Sequence, residues 1–404
     1  MKRFLGSRLI PAVITLVAIA AAVAIPLTLA KGPAPSTKEW YHHVSRIAST
    51  IPDNGDLNPY GTAVVKDSVG RLIEGDILVS NFNNRLNLAG KGTTIMEIAP
   101  DGTRMLFAQI EASDLEGDCS GEVGLTTTEQ ANWCSQGDRS QEACPGGVGL
   151  TTALVVLERG WVIVGSLPTT NGMPETARAG CLIVLNSDGM PVETFAGHSI
   201  NGPWGMTALD QGDQATLFVA NVLNGTVEAR GKVMHTSTII RIQLDVPEQG
   251  QGVPIRQSTT VIGSGFAAKT NAAALVIGPN GLGLSSDGTL YVADTLRNRI
   301  AAIPEALTRM TSASTGITVA VNGALNGPAD LAVAPDGDIM IVNGNDGFML
   351  EITPYGFLIG KKLVDKTKMP GASAGAGCLF GLAVRGSDGA YFTDDCASTL
   401  DLLH

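Results

Sequence analysis

Six short apolar runs in this chain end on one small polar residue: "ILVSN" at Asn81, "VIVGS" at Ser166, "LFVAN" at Asn221, "LYVAD" at Asp294, "IMIVN" at Asn343 and "AYFTD" at Asp394. This recurrence constrains the fold more than length does, because a repeated unit must bury its apolar faces against its own copies. Thirteen residues before the polar end of four of the runs stand Ala153, Gly281, Asp330 and Gly381, each opening another apolar run. Gly61 and Gly205 hold that place in the other two, with longer turns. Between the paired runs lie "LERG", "DQGDQ", "SSDG", "APDG" and "GSDG", which are turn sequences. Each unit therefore opens with a β-hairpin. A second hairpin follows in most, as in "TIMEIAPDGTRMLFA" and "CLIVLNSDGMPVETFA". Four antiparallel strands repeated six times predict an all-β, six-bladed β-propeller, in which sheets that cannot cover their own faces cover one another around an axis. The 49 glycines and the low charge content, 16%, suit short strands and tight turns. Outside the first thirty residues no long 3.6-residue periodicity competes with this reading.

The two ends of the chain complete it. After Asp394 only "CASTLDLLH" remains, enough for a third strand of the last blade and no fourth. The segment "YHHVSRIAST", residues 41–50, precedes the first hairpin and is predicted to supply the missing strand, closing the ring and removing its edges. Before it, Lys2, Arg3 and Arg8 lead into an apolar run from Leu9 to Leu29. Residues 1–30 read as an export signal cleaved after Ala30 or as an uncleaved membrane anchor, and residues 31–40 as a linker. Both readings place the body, residues 41–404, outside the cytoplasm, secreted or periplasmic, with an anchor as its only route to a membrane.

Six cysteines suit that compartment. Cys378 and Cys396 flank two strand-like runs about the turn "GSDG", so the hairpin sets them within reach of a cross-strand bridge. Cys119, Cys134, Cys144 and Cys181 allow three pairings. Three of these four lie in residues 110–145, an insertion between the first and second blades that is long enough to be either a stapled loop or a substrate lid. No C-x-x-C pair offers a zinc site.

The formal charge of -11 and the absence of Lys/Arg clusters with interleaved aromatics exclude nucleic acid as a partner. No G-x-S-x-G elbow marks a hydrolase nucleophile. His42 and His43, being adjacent, point to opposite faces of a strand and read as edge residues. Asn224-Gly225-Thr226 fits a glycosylation sequon and, equally, an Asx turn at a strand end.

The stretch Asp294, Asn298, Arg299, Ile300 resembles the strand-Asp-x-x-x-Asn-Arg-Ile punctuation of NHL repeats. The full match covers one blade, while the others keep the apolar run and its polar end without the Arg; Asn84 and Asn224 echo the downstream Asn. The resemblance implies a six-bladed propeller and leaves activity open, since such propellers serve as platforms and as enzymes. Gluconolactonase-like and paraoxonase-like propellers hold a divalent metal with oxygen ligands at the start of innermost strands. The corresponding residues here are Tyr60, Thr152, Trp204, Asn280, Ala329 and Phe380. Asn280 is the one candidate calcium ligand among them, too few for a hard cation, so no cofactor and no metal site are expected. The histidines do not fall at these positions, as the zinc of amidating-lyase propellers would require.

All six polar ends share one rim, just outside that inner ring. Short polar side chains there serve as loop caps or, together with the aromatic inner ring, as a ligand site. The set expected to bind is Tyr60, Trp204, Asn280, Asp294, Asp330, Asn343, Phe380 and Asp394, and no catalytic residue is assigned. The sequence thus points to an exported, noncatalytic propeller that binds a small molecule or a partner protein at the channel mouth. The alternative is a hydrolase, lactonase or lyase using Asp294, Asp330 or Asp394 as mouth carboxylates.

Overall fold

The computed structural model describes residues 42–115, 144, 146–368, 370–386 and 388–404. The signal or anchor reading of residues 1–30, the linker, most of the 110–145 insertion, Cys119 and Cys134 lie outside these residues. Strand β1 (Val44–Ser49) comes first and the blades follow in chain order. Blade 1 is β2 (Leu57–Val64), β3 (Ile77–Asn83), β4 (Thr94–Ile98) and β5 (Arg104–Gln109). Blade 2 is β6 (Leu150–Val156), β7 (Val162–Ser166), β8 (Cys181–Leu185) and β9 (Pro191–Phe195). Blade 3 is β10 (Pro203–Asp210), β11 (Gln214–Asn221), β12 (Met234–Asp245) and β13 (Ile255–Asn271), with the short β14 (Leu275–Ile277) added on β13. Blade 4 is β15 (Pro279–Leu284), β16 (Leu290–Asp294), β17 (Arg299–Ile303) and β18 (Ile317–Val321). Blade 5 is β19 (Pro328–Val333), β20 (Ile339–Asn343), β21 (Phe348–Ile352) and β22 (Leu358–Leu363). Blade 6 is β23 (Leu379–Arg385), β24 (Gly389–Asp394), β25 (Thr399–Leu403) and, at its outer edge, β1.

The chain is thus an all-β six-bladed propeller whose last sheet is finished by the N-terminal strand. β1 runs antiparallel to β25, with Val44 opposite Leu403 and Ser49 opposite Thr399. The strand β14 was not foreseen. It arises because β13 continues past the blade and turns back at Asn271, whose Oδ1 accepts the Ala273 and Ala274 amides (2.8 and 2.9 Å).

Between neighbouring blades the inward-pointing aliphatic residues of consecutive sheets interleave. Leu78 and Ile95 of blade 1 meet Val162 and Ile183 of blade 2, and Ile77, Val79 and Met96 on the other face of blade 1 meet Tyr391 and Leu400 of blade 6. The core is therefore a ring, and each fully buried Leu or Ile in it contributes about 1.5–3 kcal/mol relative to exposure.

At the axis the constraint is different. The six innermost strands, β2, β6, β10, β15, β19 and β23, approach one another backbone to backbone. A Cβ on Gly205 would sit 2.1 Å from the Asn280 carbonyl oxygen, and one on Gly381 would sit 2.2 Å from that of Tyr60. These positions admit no larger side chain without moving a neighbouring strand.

The pairing of each innermost strand with its neighbour slips at its start: between Pro59 and Thr62, Leu150 and Leu154, Pro203 and Gly205, Pro279 and Leu282, Pro328 and Asp330, and Leu379 and Leu382. This β-bulge, repeated in every blade, turns the first residues of the strand toward the axis. It also corrects the simple register in which Gly281 faces Asp294, since Asp294 pairs with Pro279 instead. Proline opens three of these strands, β10, β15 and β19, a position where a missing amide proton is tolerated, and Pro59 lies at the slip in β2.

Gly205→Val should lower stability by about 3 kcal/mol, read as a shift in the guanidinium unfolding midpoint. An unchanged midpoint would mean that β10 and β15 do not meet through their backbones.

Candidate functional site

The bulges place Tyr60, Thr152, Trp204, Asn280, Ala329 and Phe380 around the axis at one end. There the aromatic residues pack on one another. Tyr60 stacks on Phe380 (ring centroids 4.3 Å apart) and on Phe82 (4.6 Å), while Trp204 meets Tyr60 and Phe82 edge-on at 5.9 and 5.4 Å. Tyr60 and Trp204 are buried, and burial raises the Tyr60 phenol well above its ordinary pKa. Thr152 donates its hydroxyl to Asn280 Oδ1 (2.6 Å) and lies against the Trp204 carbonyl oxygen. The axis is plugged at this face. Phe82 was missed by sequence reasoning, although its place immediately after the polar end Asn81 was a usable signal.

The six polar strand ends are all buried. Asn81 Nδ2 donates to the Thr50 carbonyl (3.0 Å), Ser166 Oγ donates to Gly147 O (2.8 Å), and Asn221 Oδ1 accepts the Asn201 amide (2.9 Å). Asn343 accepts from the Asn326 amide and donates to Ala324 O, both at 3.0 Å, and Asp394 Oδ1 accepts the Ala397 amide at 2.9 Å. Five ends are caps on loop backbone.

Asp294 differs, because its Oδ2 is paired with Arg299 Nε at 2.8 Å. Arg299 continues to Thr318 Oγ1 (2.9 Å) and Thr315 O (2.6 Å), and Asn298 takes the left-handed conformation at the turn. This accounts physically for the Asp-x-x-x-Asn-Arg spacing: the left-handed residue reverses the chain, so that Arg299 lies opposite Asp294 in the β16–β17 ladder. Burial raises the Asp294 pKa, and the Arg299 hydrogen bond opposes that shift.

Beneath the plug the axis opens into a cavity of about 340 Å³ lined by all six innermost strands. Leu154, Met206, Leu282, Leu331, Leu382 and Val384 furnish much of its apolar wall. Along β2 and its exit, exposure rises from buried Tyr60 through half-buried Thr62 and Val64 to exposed Lys66, so the channel opens at the face opposite the plug. Among the described residues, the charged groups lining it are Asp330, Lys66 and Asp210.

Asp330 occupies the strand-opening position held elsewhere by Gly61, Ala153, Gly205, Gly281 and Gly381. Its carboxylate spans three blades. Oδ1 accepts the Leu331 amide (2.8 Å) and Oδ2 accepts the Leu382 amide from β23 (3.0 Å). On the other side, a Cβ on Gly281 would lie 2.4 Å from Oδ1, so the glycine makes the room that this side chain fills. Protein surrounds Asp330, and its remaining exposure is toward the cavity. Burial pushes its pKa up to about 7 against the pull of the two amides. Thr62 Oγ1, on the opposite flank of Gly381, is buried with no hydrogen-bond partner.

Of the residues expected to bind a ligand, the structure thus brings Asp330 to the cavity. It gathers Tyr60, Trp204, Asn280 and Phe380 in or beside the plug, and it buries Asp294, Asn343 and Asp394 within the loops.

Two disulfides brace the plugged face. Cys378–Cys396 (Cα–Cα 4.9 Å) joins the entry of β23 to the β24–β25 connection, and Cys144–Cys181 (5.2 Å) ties the end of the insertion to β8. They suit an oxidising, extracytoplasmic compartment. Among the described residues no helix is long and apolar enough to cross a membrane.

No family model matches the chain, and no curated protein sequence matches it. Among solved structures it is similar to a luciferin-regenerating enzyme, with a TM-score of 0.50 and 11% identity over 89% of this chain and 94% of that one. Also matched are a calcium-binding protein, regucalcin, from Agrobacterium tumefaciens strain C58 (TM-score 0.47, 14% identity, 88% and 93% covered) and a gluconolactonase from Xanthomonas campestris (0.46, 13%, 89% and 94%). What the first of these likenesses shows is the shared propeller fold.

Burial raises several carboxyl groups together: Glu97 and Asp394 to about 6, Asp330 and Asp395 to about 7. Between pH 4 and 7 the folded chain therefore retains protons that the unfolded chain has released, so stability falls as pH rises through that window. The melting midpoint measured by scanning fluorimetry should be several degrees higher at pH 5 than at pH 8. The reverse order would show that these groups are ionised and compensated in the fold.

Proposed function

We propose that this chain is a noncatalytic, NHL-like propeller of the extracytoplasmic space that binds one small ligand in its central channel, entering through the face opposite the aromatic plug. The observation that carries this reading is Asp330: a single carboxylate at a ring position otherwise reserved for Gly or Ala, set at the inner end of an apolar cavity. Apolar walls with one placed polar group are the usual composition of a small-molecule site. The cavity volume of about 340 Å³ suits a ligand of about a dozen heavy atoms or fewer better than a protein segment.

A second reading makes the channel the active site of a hydrolase, lactonase or lyase. The near-neutral pKa of Asp330 favours it, since a general acid or base works best when its pKa lies near the operating pH. Such chemistry needs a second group across the substrate, and the other charged lining residues, Lys66 and Asp210, stand at the far mouth. The noncatalytic reading accounts for the channel with fewer parts.

The neutral fluorophore 1-aminonaphthalene, which is within that size, tests it. Wild-type protein should bind one equivalent with a blue-shifted emission, and Met206→Trp, which fills the channel from β10, should weaken binding at least tenfold. Binding unaffected by Met206→Trp, or no binding to wild type, would sink the proposal. Turnover of ester or lactone substrates lost in Asp330→Asn would favour the second reading instead.

A further inference from the structure

Each of the six hairpin turns at the open face carries an acidic residue: Asp67, Glu158, Asp210, Asp287, Asp336 and Asp388. The basic side chains beside them are already engaged. Lys66 pairs with Glu158 (3.9 Å), Arg159 with Glu248 (3.0 Å), and Arg385 with Asp388. The rim is therefore a negative collar on a chain of net charge -11, and such a collar around a low-dielectric channel concentrates cations and repels anions.

The inner end of the channel has the same sign. Asp330 receives one backbone amide on each oxygen, and no cationic side chain lies beside it: among the lining residues β6, β15 and β23 contribute no charged group, Lys66 follows β2 at the mouth, and Asp210 ends β10 there. An anion held in an apolar cavity without a counter-ion is unfavourable until a proton or a bound cation neutralises it. Thr62 also lines the cavity, from β2 on the other side of β23, and its buried Oγ1 has no hydrogen-bond partner. An ammonium group has three donors and no acceptor, which fits a carboxylate and a hydroxyl oxygen better than a neutral or anionic head does.

We infer that the ligand of this channel is an organic cation, a primary ammonium on an apolar body, with the Asp330 carboxylate as its counter-ion and the Thr62 hydroxyl as a second acceptor. The inference rests on the channel reading above and narrows it to one ligand class. The apolar body lies along Leu154, Met206, Leu282, Leu331 and Leu382, and the head reaches the level where the inner strands crowd together. Because binding requires the ionised carboxylate, the ligand displaces whatever proton Asp330 holds.

The test uses three probes of equal length, hexylamine, 1-hexanol and hexanoate, in calorimetric titrations of the intact protein at pH 7 in two buffers of different ionisation enthalpy. Hexylammonium should bind at least tenfold more tightly than hexanol, and hexanoate more weakly than either. Comparing the two buffers should show release of about half a proton per amine bound, from a carboxyl titrating near 7. Lowering the pH from 7 to 5.5 should weaken the amine at least tenfold and leave hexanol unchanged. Asp330→Asn should abolish the preference for amine over alcohol, and Thr62→Val, a near-isosteric change, should narrow it several-fold. Equal affinity for hexylammonium and hexanol in wild type, or a preference surviving in Asp330→Asn, overturns the cation assignment while the channel stands. Hexanol binding that persists undiminished in Met206→Trp, or failure of all three probes to bind, overturns the channel and the cation together.

Discussion

Everything in this molecule depends on six innermost strands meeting at one axis with almost no side-chain volume between their opening residues. Gly205 lies against the backbone of β15, Gly281 against that of β19, and Gly381 against that of β2. The bulge in each of these strands follows from the same crowding. A regular pleat would send alternate side chains into the axis at a level where there is no room for them, and an extra residue in the strand re-aims them. Two consequences come from one geometry: the larger residues just before the crowded ring are driven together into a plug, and the space beyond it widens into a channel.

The fold was legible because its signal was periodic. Apolar runs with a polar end, recurring with a turn between them, required hairpins, and six hairpins with a short last blade required a ring closed by the N-terminal strand. The bulge was not legible from a period of two, because a register carried from the turn toward the axis slips just where it is needed. After the slip Asp294 and Asn343 lie opposite Pro279 and Pro328, each one residue before an inner-ring position, so the polar ends cap loops while their neighbours fill the axis. The prolines at 59, 203, 279 and 328, each followed two residues later by Gly61, Gly205, Gly281 or Asp330, were the available sign of it. Asp330 was legible as a break in the glycine pattern. That its side chain looks into a cavity opening at the opposite face required coordinates.

The buried carboxylates show how unevenly the repeat handles charge. Asn81, Asn221 and Asn343 satisfy their loops as neutral groups, so the fold bears no ionic desolvation cost at those ends. Asp294 bears it and recovers part through Arg299, itself anchored by Thr318 and Thr315. A blade without the arginine is better served by an amide, which explains why the acidic punctuation survives in full only where its cation follows five residues later. Asp394 has a weaker remedy, one backbone amide from Ala397, and its pKa rises to about 6. Asp330 sits outside this structural logic. A glycine or alanine would fill its place in the ring, so its carboxylate is difficult to explain by the needs of the fold alone.

The two ends of the axis divide structure from recognition. The seam where the ring closes lies between blade 6 and blade 1, and it is fastened at two radii. At the rim β1 completes blade 6; at the axis Tyr60 of β2 stacks on Phe380 of β23, one residue from Gly381 and two from the Cys378–Cys396 bridge. Opening the plugged end to a ligand would unstack the clasp that holds the first blade to the last, so occupancy there would compete with ring closure. The other end carries no such duty: its walls are strand side chains already held by inter-blade packing, and a ligand entering there can bind without parting any two blades. Asp330 takes its amides from β19 and β23, so a ligand that neutralises it relieves the charge at that junction, and its binding adds to the stability of the folded ring.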